Sequence, residues 1–148
     1  MKISTKGRYG LRAIIDIAAH GGNGPIPIKE VSIRQEISEN YLEQIIFPLK
    51  KAGIVKSVRG AQGGYLLSRP AAEITAGDVL RALEGDLAPV ECLSGAGEPN
   101  CERAQKCPTL PLWISLRDAI NGVVDGVTIQ DLVDKQKQDI ELDFGNYI

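Results

Sequence analysis

Three cysteines in the second half of the chain have the residue type and spacing to bind a soft metal. Cys92, Cys101 and Cys107 follow the pattern Cys-x8-Cys-x5-Cys, with glycines and a proline between them that would let a loop bend. Thiolates are the ligands that iron–sulfur clusters and zinc prefer, so the segment predicts a soft metal centre. Redox-active free thiols, or no chemical role, are the alternatives. The odd number of cysteines disfavours a structural disulfide.

A second set of side chains has the chemistry to meet DNA. A helix is expected to begin at Ser38, whose hydroxyl suits a helix cap, and to end before Gly53. Because an ionised Glu43 only accepts hydrogen bonds, it would select the amino group of cytosine. Gln44 would pair with adenine, unless its helical phase turns it inward. The alternatives are a core position for Tyr41 and, for Glu43, a solvated side chain or one paired with Lys50 or another basic residue. The polar residues in the first two turns are Ser38, Asn40, Tyr41, Glu43 and Gln44.

The segment after this helix is expected to form a basic hairpin. Strands are predicted over 54–58 and 65–67, and the tip between them carries Arg59 and Gly60 within a glycine-rich run. A guanidinium here suits the negative potential of a narrow minor groove, and glycines let the backbone approach a duplex. A polar helix followed by a basic hairpin is typical of a winged helix-turn-helix. Six further residues are candidate phosphate ligands: Lys2, Lys6, Arg8, Lys50, Lys51 and Lys56.

The distribution of charge indicates a nucleic-acid partner for the first half of the chain. Residues 1–70 hold 11 Lys and Arg against 5 Asp and Glu, a net charge of +6. Residues 71–148 hold 6 against 14, a net charge of −8. A basic lobe attracts a polyanion, although charge that only solubilises the surface is the alternative. Because there is no long apolar run and no signal peptide, we expect a cytoplasmic protein with reduced thiols.

Apolar periodicity predicts a mainly helical fold with a small β-hairpin wing. Beside the helix at Ser38, helices are expected over 5–20, 28–35, 75–84 and 110–124. We divide the chain into three parts, in which the wing belongs to the first and the cysteines to the second. These parts are a winged-helix DNA-binding domain (1–84), a cysteine-containing effector loop (85–108), and a dimerisation helix with a C-terminal helix and tail (109–148).

Several details of the elements can also be predicted from single residues. Ile33 is expected to point inward, and Pro48 is expected to kink its helix or end it early, because proline cannot donate to the preceding turn. The acidic tail from Asp139 is expected to be less ordered, with Phe144 and Tyr147 docking on the body of the protein.

Four segments together resemble a family of small bacterial winged-helix regulators typified by IscR, NsrR and CymR. The resemblance covers nearly the whole chain and is specific, because the segments occur in the same order. The matching segments are Ser4-Thr5-Lys6-Gly7-Arg8-Tyr9-Gly10-Leu11, Ile37-Ser38 with Tyr41-Leu42-Glu43-Gln44, Val58-Arg59-Gly60 with Gly63-Gly64-Tyr65-Leu66-Leu67, and Thr75-Ala76-Gly77-Asp78-Val79.

The resemblance implies a homodimer with a long dimerisation helix, and promoter DNA with palindromic half-sites as the partner. Half-sites related by a dimer axis are expected about 34 Å apart. The closing Asn146-Tyr147-Ile148 is similar to the CymR branch, which controls cysteine metabolism without a metal. The cysteines are similar to the IscR branch, which carries a [2Fe-2S] cluster, so the resemblance implies Cys92, Cys101 and Cys107 as cluster ligands.

The match to the cluster-binding branch is incomplete at one position. A histidine follows the third cysteine by three residues in that branch, whereas this chain has Leu110, which cannot ligate. The fourth ligand would then be a backbone atom, an external thiol, a residue of the other subunit, or one of several side chains in the loop. Those side chains are Glu91, Glu98, Asn100 and Glu102.

The sequence therefore predicts a DNA-binding transcriptional repressor controlled by a [2Fe-2S] cluster or by thiol redox state. The expected targets are iron–sulfur cluster assembly or cysteine metabolism. One alternative is a metal-free, CymR-like repressor of cysteine metabolism that acts through a protein partner. Another is a cluster carrier that does not bind DNA. An enzyme is not expected, because the single histidine lies far from the cysteines and no phosphate loop or paired-carboxylate motif is present.

Overall fold

Residues 2–145 are described in a computed structural model, and they form six α-helices and one antiparallel hairpin. This confirms the predicted mainly helical fold with a wing. The segment 146–148, which contains Tyr147, lies outside the described residues. None of the helices in 2–145 has the length and hydrophobicity that a membrane span requires. The elements are α1 (Thr5–His20), α2 (Ile28–Gln35), α3 (Glu39–Lys51), β1 (Val55–Val58), β2 (Gly64–Leu67), α4 (Ala76–Glu84), α5 (Leu110–Gly126) and α6 (Ile129–Gly145).

Hydroxyl side chains cap the helices that build the amino-terminal domain. Ser38 Oγ accepts a hydrogen bond from the backbone of Tyr41 at the start of α3, as predicted. Thr75 and Asp78 exchange reciprocal hydrogen bonds of 3.0 Å at the start of α4. Each cap satisfies backbone donors that have no partner within their helix, so the sequence itself sets where these helices begin.

Helix α1 lies at the centre of the fold and packs closely against α4. A Cβ atom at Gly7 would collide with the carboxylate of Glu84, and one at Gly10 would collide with Leu83. The two glycines therefore allow the axes of α1 and α4 to approach. The core beneath them is aliphatic, and its largest fully buried side chains include Ile14, Ile17, Leu42, Ile45, Leu49, Ile54, Ile74 and Ile129.

A buried carboxylate fastens α1 to α2. Asp16 is 1% exposed and is the only charged side chain buried in residues 2–145. It accepts hydrogen bonds of 2.8 and 3.0 Å from the guanidinium of Arg34 and one of 2.9 Å from Gln35 Nε2. Because these donors come from the last turn of α2, the carboxylate fixes that end of the helix against α1.

Three details of the prediction are wrong. Ile33 is 68% exposed, because it lies two residues from the buried Val31 on a short helix and two such positions face opposite sides. An early end of α3 at Pro48 is also wrong, because the helix continues to Lys51 and the Pro48 carbonyl accepts a bond of 3.0 Å from Ala52. The alternative of a kink at Pro48 stays a prediction. The tail from Asp139 is helical as far as Gly145, and no glycine or proline interrupts it before that residue.

Phe144 does not dock on the body of the chain. Its side chain is 69% exposed near the end of α6. The second half of that helix has no buried residue, so its apolar side chains face solvent.

We predict that Asp16→Asn lowers the free energy of unfolding by about 1–3 kcal/mol, the range for hydrogen bonds to a charged partner. The substitution keeps the shape of the side chain but removes the charge that Arg34 and Gln35 stabilise. Urea unfolding followed by circular dichroism measures the change. Asp139→Asn is the control, because its ion pair with Lys135 is exposed and should contribute less than about 0.5 kcal/mol. Equal midpoints for the two variants would contradict the role of Asp16.

Candidate nucleic-acid interface and cysteine loop

Helix α3 is divided into a buried face and an exposed face. Leu42, Ile45, Ile46 and Leu49 face the core. On the other side, Asn40, Glu43 and Gln44 are exposed and line one open groove together with Lys6 of α1 and Phe47. The helical phase therefore turns Gln44 toward solvent. Polar side chains with both donor and acceptor groups thus share a surface where a base edge could be contacted.

Other residues predicted at the interface also have structural partners within the chain. Ser38 caps α3 through its hydroxyl. Tyr41 is half-buried, and its ring meets that of Tyr9 edge to face with 6.0 Å between centroids. Lys50 Nζ donates to Ser57 Oγ of β1 at 2.8 Å. These three residues hold α3 in place, whatever further contacts they make.

The turn between α2 and α3 is fixed by local hydrogen bonds. Glu36 has a positive φ of 56°, which is uncommon for a side chain other than glycine. Ser32 Oγ donates to the carbonyl of Ile37 at 2.6 Å, and the backbone of Ile37 donates back to Ser32 at 3.2 Å. Arg12 of α1 adds a bond of 3.2 Å to the side chain of Gln35. The structure therefore contains a rigid helix-turn-helix formed by α2 and α3.

The hairpin after α3 forms the expected wing. Val58 pairs with Gly64 at the end of the ladder, and the tip between them is closed by a 3.0 Å bond from Gly63 to the Gly60 carbonyl. Gly60 has a φ of 117°, which a residue with a Cβ rarely adopts. Arg59 is exposed at this tip.

The wing is attached to the segment before α2 by a short antiparallel bridge. Ile26 and Tyr65 exchange two backbone hydrogen bonds of 2.9 Å. As a result, Lys29 in the first turn of α2 lines the same groove as Arg59 and Gly60. Sequence reasoning missed Lys29 as a basic residue beside the wing, because only this bridge brings it there.

The candidate phosphate ligands lie mostly in solvent. Arg8 is exposed, and its guanidinium donates to Thr5 Oγ1 at 3.2 Å on the same helix. Lys6 is half-buried and lines the groove of α3. The remaining four lysines are all exposed: Lys2, Lys50, Lys51 and Lys56.

The cysteine loop connects the end of α4 to the start of α5 and contains two short 3-10 turns, Glu91–Leu93 and Ala104–Lys106. The Asp86 carboxylate accepts hydrogen bonds from the backbone amides of Ala88 and Gly95, and these bonds lower the pKa of that carboxyl. Asn100 donates a further 2.7 Å backbone bond to the Cys92 carbonyl. The first half of the loop is therefore folded back on itself.

The structure does not bring the three predicted thiol ligands together. Cys92 and Cys107 are half-buried, Cys101 is exposed, and all three are free. Across residues 2–145, no three His, Cys, Asp or Glu side chains lie close enough to hold a metal ion. The thiols suit an iron–sulfur cluster chemically, but the observed loop provides neither the geometry nor a fourth ligand.

Cys107 differs from an ordinary cysteine because it precedes α5. Its sulfur lies 3.3 Å from Thr109 Oγ1. The Thr109 hydroxyl, followed by backbone groups of Thr109 and Leu110, lowers the pKa of the Cys107 thiol. The amides at the start of α5 stabilise a thiolate at this position, and the thiolate is the form of cysteine that attacks electrophiles and binds metals.

A salt bridge joins the amino-terminal domain to α5. Arg81 of α4 donates to both carboxylate oxygens of Asp125 at 2.7 and 2.9 Å, and to Asn121 at 2.8 Å. The contact with Arg81 also lowers the pKa of the Asp125 carboxyl. Gly77 permits this contact, since a Cβ there would collide with Asp125. Helices α4 and α5 are thus joined beside the first half of the cysteine loop, since Asp86 and Gly95 line one groove with Arg81 and Asp125.

The sequence of this chain is similar to those of known transcriptional regulators. Residues 3–135 match the family model Rrf2, described as iron-dependent transcriptional regulators. The chain is 47% identical over 132 residues to the transcriptional regulator CymR of Bacillus subtilis, covering 89% of each chain. It is 40% identical over 136 residues to the regulator IscR of Serratia proteamaculans, covering 92% of this chain and 81% of that one.

A solved structure shares the fold at a similar level. The structure of CymR, the global cysteine regulator of B. subtilis, has a TM-score of 0.75 with 46% identity, covering 91% of this chain and 98% of that one. These relatives are regulators of transcription rather than enzymes, which agrees with the reading of the sequence.

We predict that Thr109→Val slows the alkylation of Cys107 in metal-free protein near neutral pH. The lowered thiol pKa places thiolate at lower pH than usual, and removing the hydroxyl that causes it should move the rate–pH curve to higher pH. Iodoacetamide labelling followed by mass spectrometry measures the rate at each cysteine. Thr109→Ser keeps the hydroxyl and should behave as the parent protein does. Superimposable curves for Thr109→Val and the parent would contradict this account.

Proposed function

Because this chain belongs to the Rrf2 family of transcriptional regulators, we propose that residues 1–84 bind promoter DNA in a sequence-specific manner and repress transcription. The observation that carries the proposal is the arrangement of α3 and the wing. Helix α3 presents a polar face, and the wing that follows it presents a basic tip. This is the arrangement expected of a domain whose helix contacts bases in the major groove and whose hairpin contacts the flanking DNA.

The contacts of the proposed complex divide into base readers and phosphate ligands. In the proposed complex Glu43 and Gln44 contact base edges, which their exposure on one face of α3 supports, and Asn40 lies one turn earlier on that face. Arg59 and Gly60 meet the minor groove or its backbone, with Lys29 beside them. The lysines and Arg8 supply the salt-dependent part of the affinity through phosphates.

Helix α5 supports a homodimer. None of its residues is fully buried in the single chain, and Leu112, Leu116 and Val123 are exposed on it at helical spacing. Residues Ile120, Val123 and Val124 line an entirely apolar groove with Leu80 and Leu87. We propose that α5 (Leu110–Gly126) pairs with the same helix of a second copy, so that two DNA-binding domains meet palindromic half-sites one helical turn apart.

We predict that Arg59→Ala weakens promoter affinity about tenfold at fixed salt without changing the thermal midpoint, since the side chain is exposed and makes no core contact. Lys137→Ala is the control: it removes the same charge from an exposed position in α6 and should leave the affinity unchanged. Fluorescence anisotropy across a salt series measures both variants. Equal affinity of Arg59→Ala and the parent would remove the wing from the interface.

We further propose that residues 85–108 are the sensory segment. In the finer form of this proposal the loop binds a [2Fe-2S] cluster through Cys92, Cys101 and Cys107, with the fourth ligand supplied from outside this set. The observed loop does not gather these thiols, so we derive no regulatory step through a cluster. The first half of the segment lines one groove with Arg81 and Asp125, and the segment ends directly before α5, so a change of loop conformation would reach that helix.

The second candidate is a metal-free regulator of cysteine metabolism that works through its thiols or a protein partner. The separated thiols and the 47% identity to CymR of B. subtilis favour it. The lowered thiol pKa of Cys107 gives such a protein one reactive position.

The two candidates are distinguished by iron and sulfide analysis with visible spectra of anaerobically purified protein. If the cluster proposal holds, the parent carries iron and sulfide, and Cys92→Ala loses the visible absorbance because a thiolate ligand is missing. His20→Ala, which alters the single histidine, should keep it. An iron-free parent would support the metal-free candidate, and full absorbance in Cys92→Ala would exclude that residue as a ligand.

A further inference from the structure

Phe47 is an exposed aromatic side chain that lines the α3 groove, the open groove formed by Lys6, Asn40, Glu43, Gln44 and Phe47. It is 70% exposed, although its helix neighbours Ile46 and Leu49 are buried. It lies seven residues after Asn40, four after Glu43 and three after Gln44, which places all four on one side of the helix. Together with Lys6 these residues line the same groove.

Nothing in the fold requires a phenyl ring at this position. The ring takes no part in the hydrophobic core, and a residue directly before a proline is already restricted in a helix. A single exposed apolar side chain is common on protein surfaces, so exposure alone does not mark a site. Phe47 is informative because it shares the face of α3 that the proposed function assigns to base edges. The groove holds one cation and one anion, Lys6 and Glu43. The last turn of α3 adds Lys50 and Lys51, so basic side chains outnumber the acidic one around the ring. Such a setting favours a polyanion over a second apolar protein surface.

We propose that Phe47 is a specificity-determining residue that contacts the 5-methyl group of a thymine in the major groove. That methyl is the apolar group which base edges present there, and phenylalanine is a side chain suited to it. The proposal deepens the proposed function and rests on it.

The position of Phe47 relative to Glu43 predicts where the thymine lies. Four residues of α-helix advance about 6 Å along the axis, which corresponds to about two base-pair steps of a duplex. The thymine is therefore expected within about two base pairs of the pair read by Glu43, toward the end of the site that the carboxyl end of α3 approaches.

The test uses duplexes selected from a randomised library by the full-length parent protein. Each thymine of the selected half-site is replaced by uracil, which deletes only the methyl group. Binding is measured for the parent, for Phe47→Ala and for Phe144→Ala. Phe144 is the matched control, because it is a 69% exposed phenylalanine in α6, outside the amino-terminal domain.

If Phe47 reads a thymine, uracil at one position weakens the parent about fourfold per half-site, the effect of losing one buried methyl. Phe47→Ala binds the thymine duplex more weakly and loses the thymine–uracil difference at that position. Phe144→Ala keeps that difference at the parent's value. Because Phe47 is exposed, the variant is expected to fold with an unchanged thermal midpoint.

Three results would overturn the inference. The first is a Phe47→Ala variant that keeps both its affinity and the thymine–uracil difference. The second is a change of sedimentation behaviour in Phe47→Ala alone, which would assign the ring to a protein contact. The third is a parent protein that selects no sequence at all. Only this third result would also contradict the proposed sequence-specific binding of DNA.

Discussion

The rest of the structure depends on one buried carboxylate. Asp16 is enclosed in an otherwise aliphatic core, and burial of a charge is unfavourable unless hydrogen bonds compensate it. Its donors all come from the last turn of α2, and Arg12 extends the network through Gln35. Since the turn into α3 begins at the next residue, this network fixes the end of α2 against α1, while the contact between Tyr9 and Tyr41 joins α1 to α3 directly. The hydrogen bonds add a directional restraint to hydrophobic contacts that have no preferred direction.

Most of the fold could be predicted from local sequence signals. Ser38 and Thr75 are caps, Gly53 follows the end of α3, and apolar spacing marks each buried face. These signals act within a few residues and need no tertiary information. The errors have two causes. Ile33 faces solvent because of its helical phase relative to the buried Val31. Helix α3 continues past Pro48 because its neighbours Ile46 and Leu49 are buried, so packing outweighs the local preference.

The candidate site was less predictable than the fold, because its residues are brought together by tertiary contacts. Lys29 lies beside Arg59 only through the bridge between Ile26 and Tyr65. Phe47 is apolar, so a pattern of polar residues on α3 does not include it, and only its exposed fraction identifies it. For the cysteines the sequence predicts more than the structure shows. Their spacing indicates ligands of one metal centre, whereas the observed loop does not bring the three thiols together.

The salt bridge between Arg81 and Asp125 would make any coupling between the two halves of the chain reciprocal. It joins α4, which packs on α1 of the DNA-binding domain, to α5, which begins directly after the cysteine loop. Two events that bias one shared joint are thermodynamically linked, and the linkage has the same magnitude in both directions. If the state of the loop alters operator affinity by some factor, then occupancy of the operator alters the equilibrium of the loop by that same factor. In that case the loop of a molecule bound to its promoter would change state at a different signal level from the loop of a free molecule.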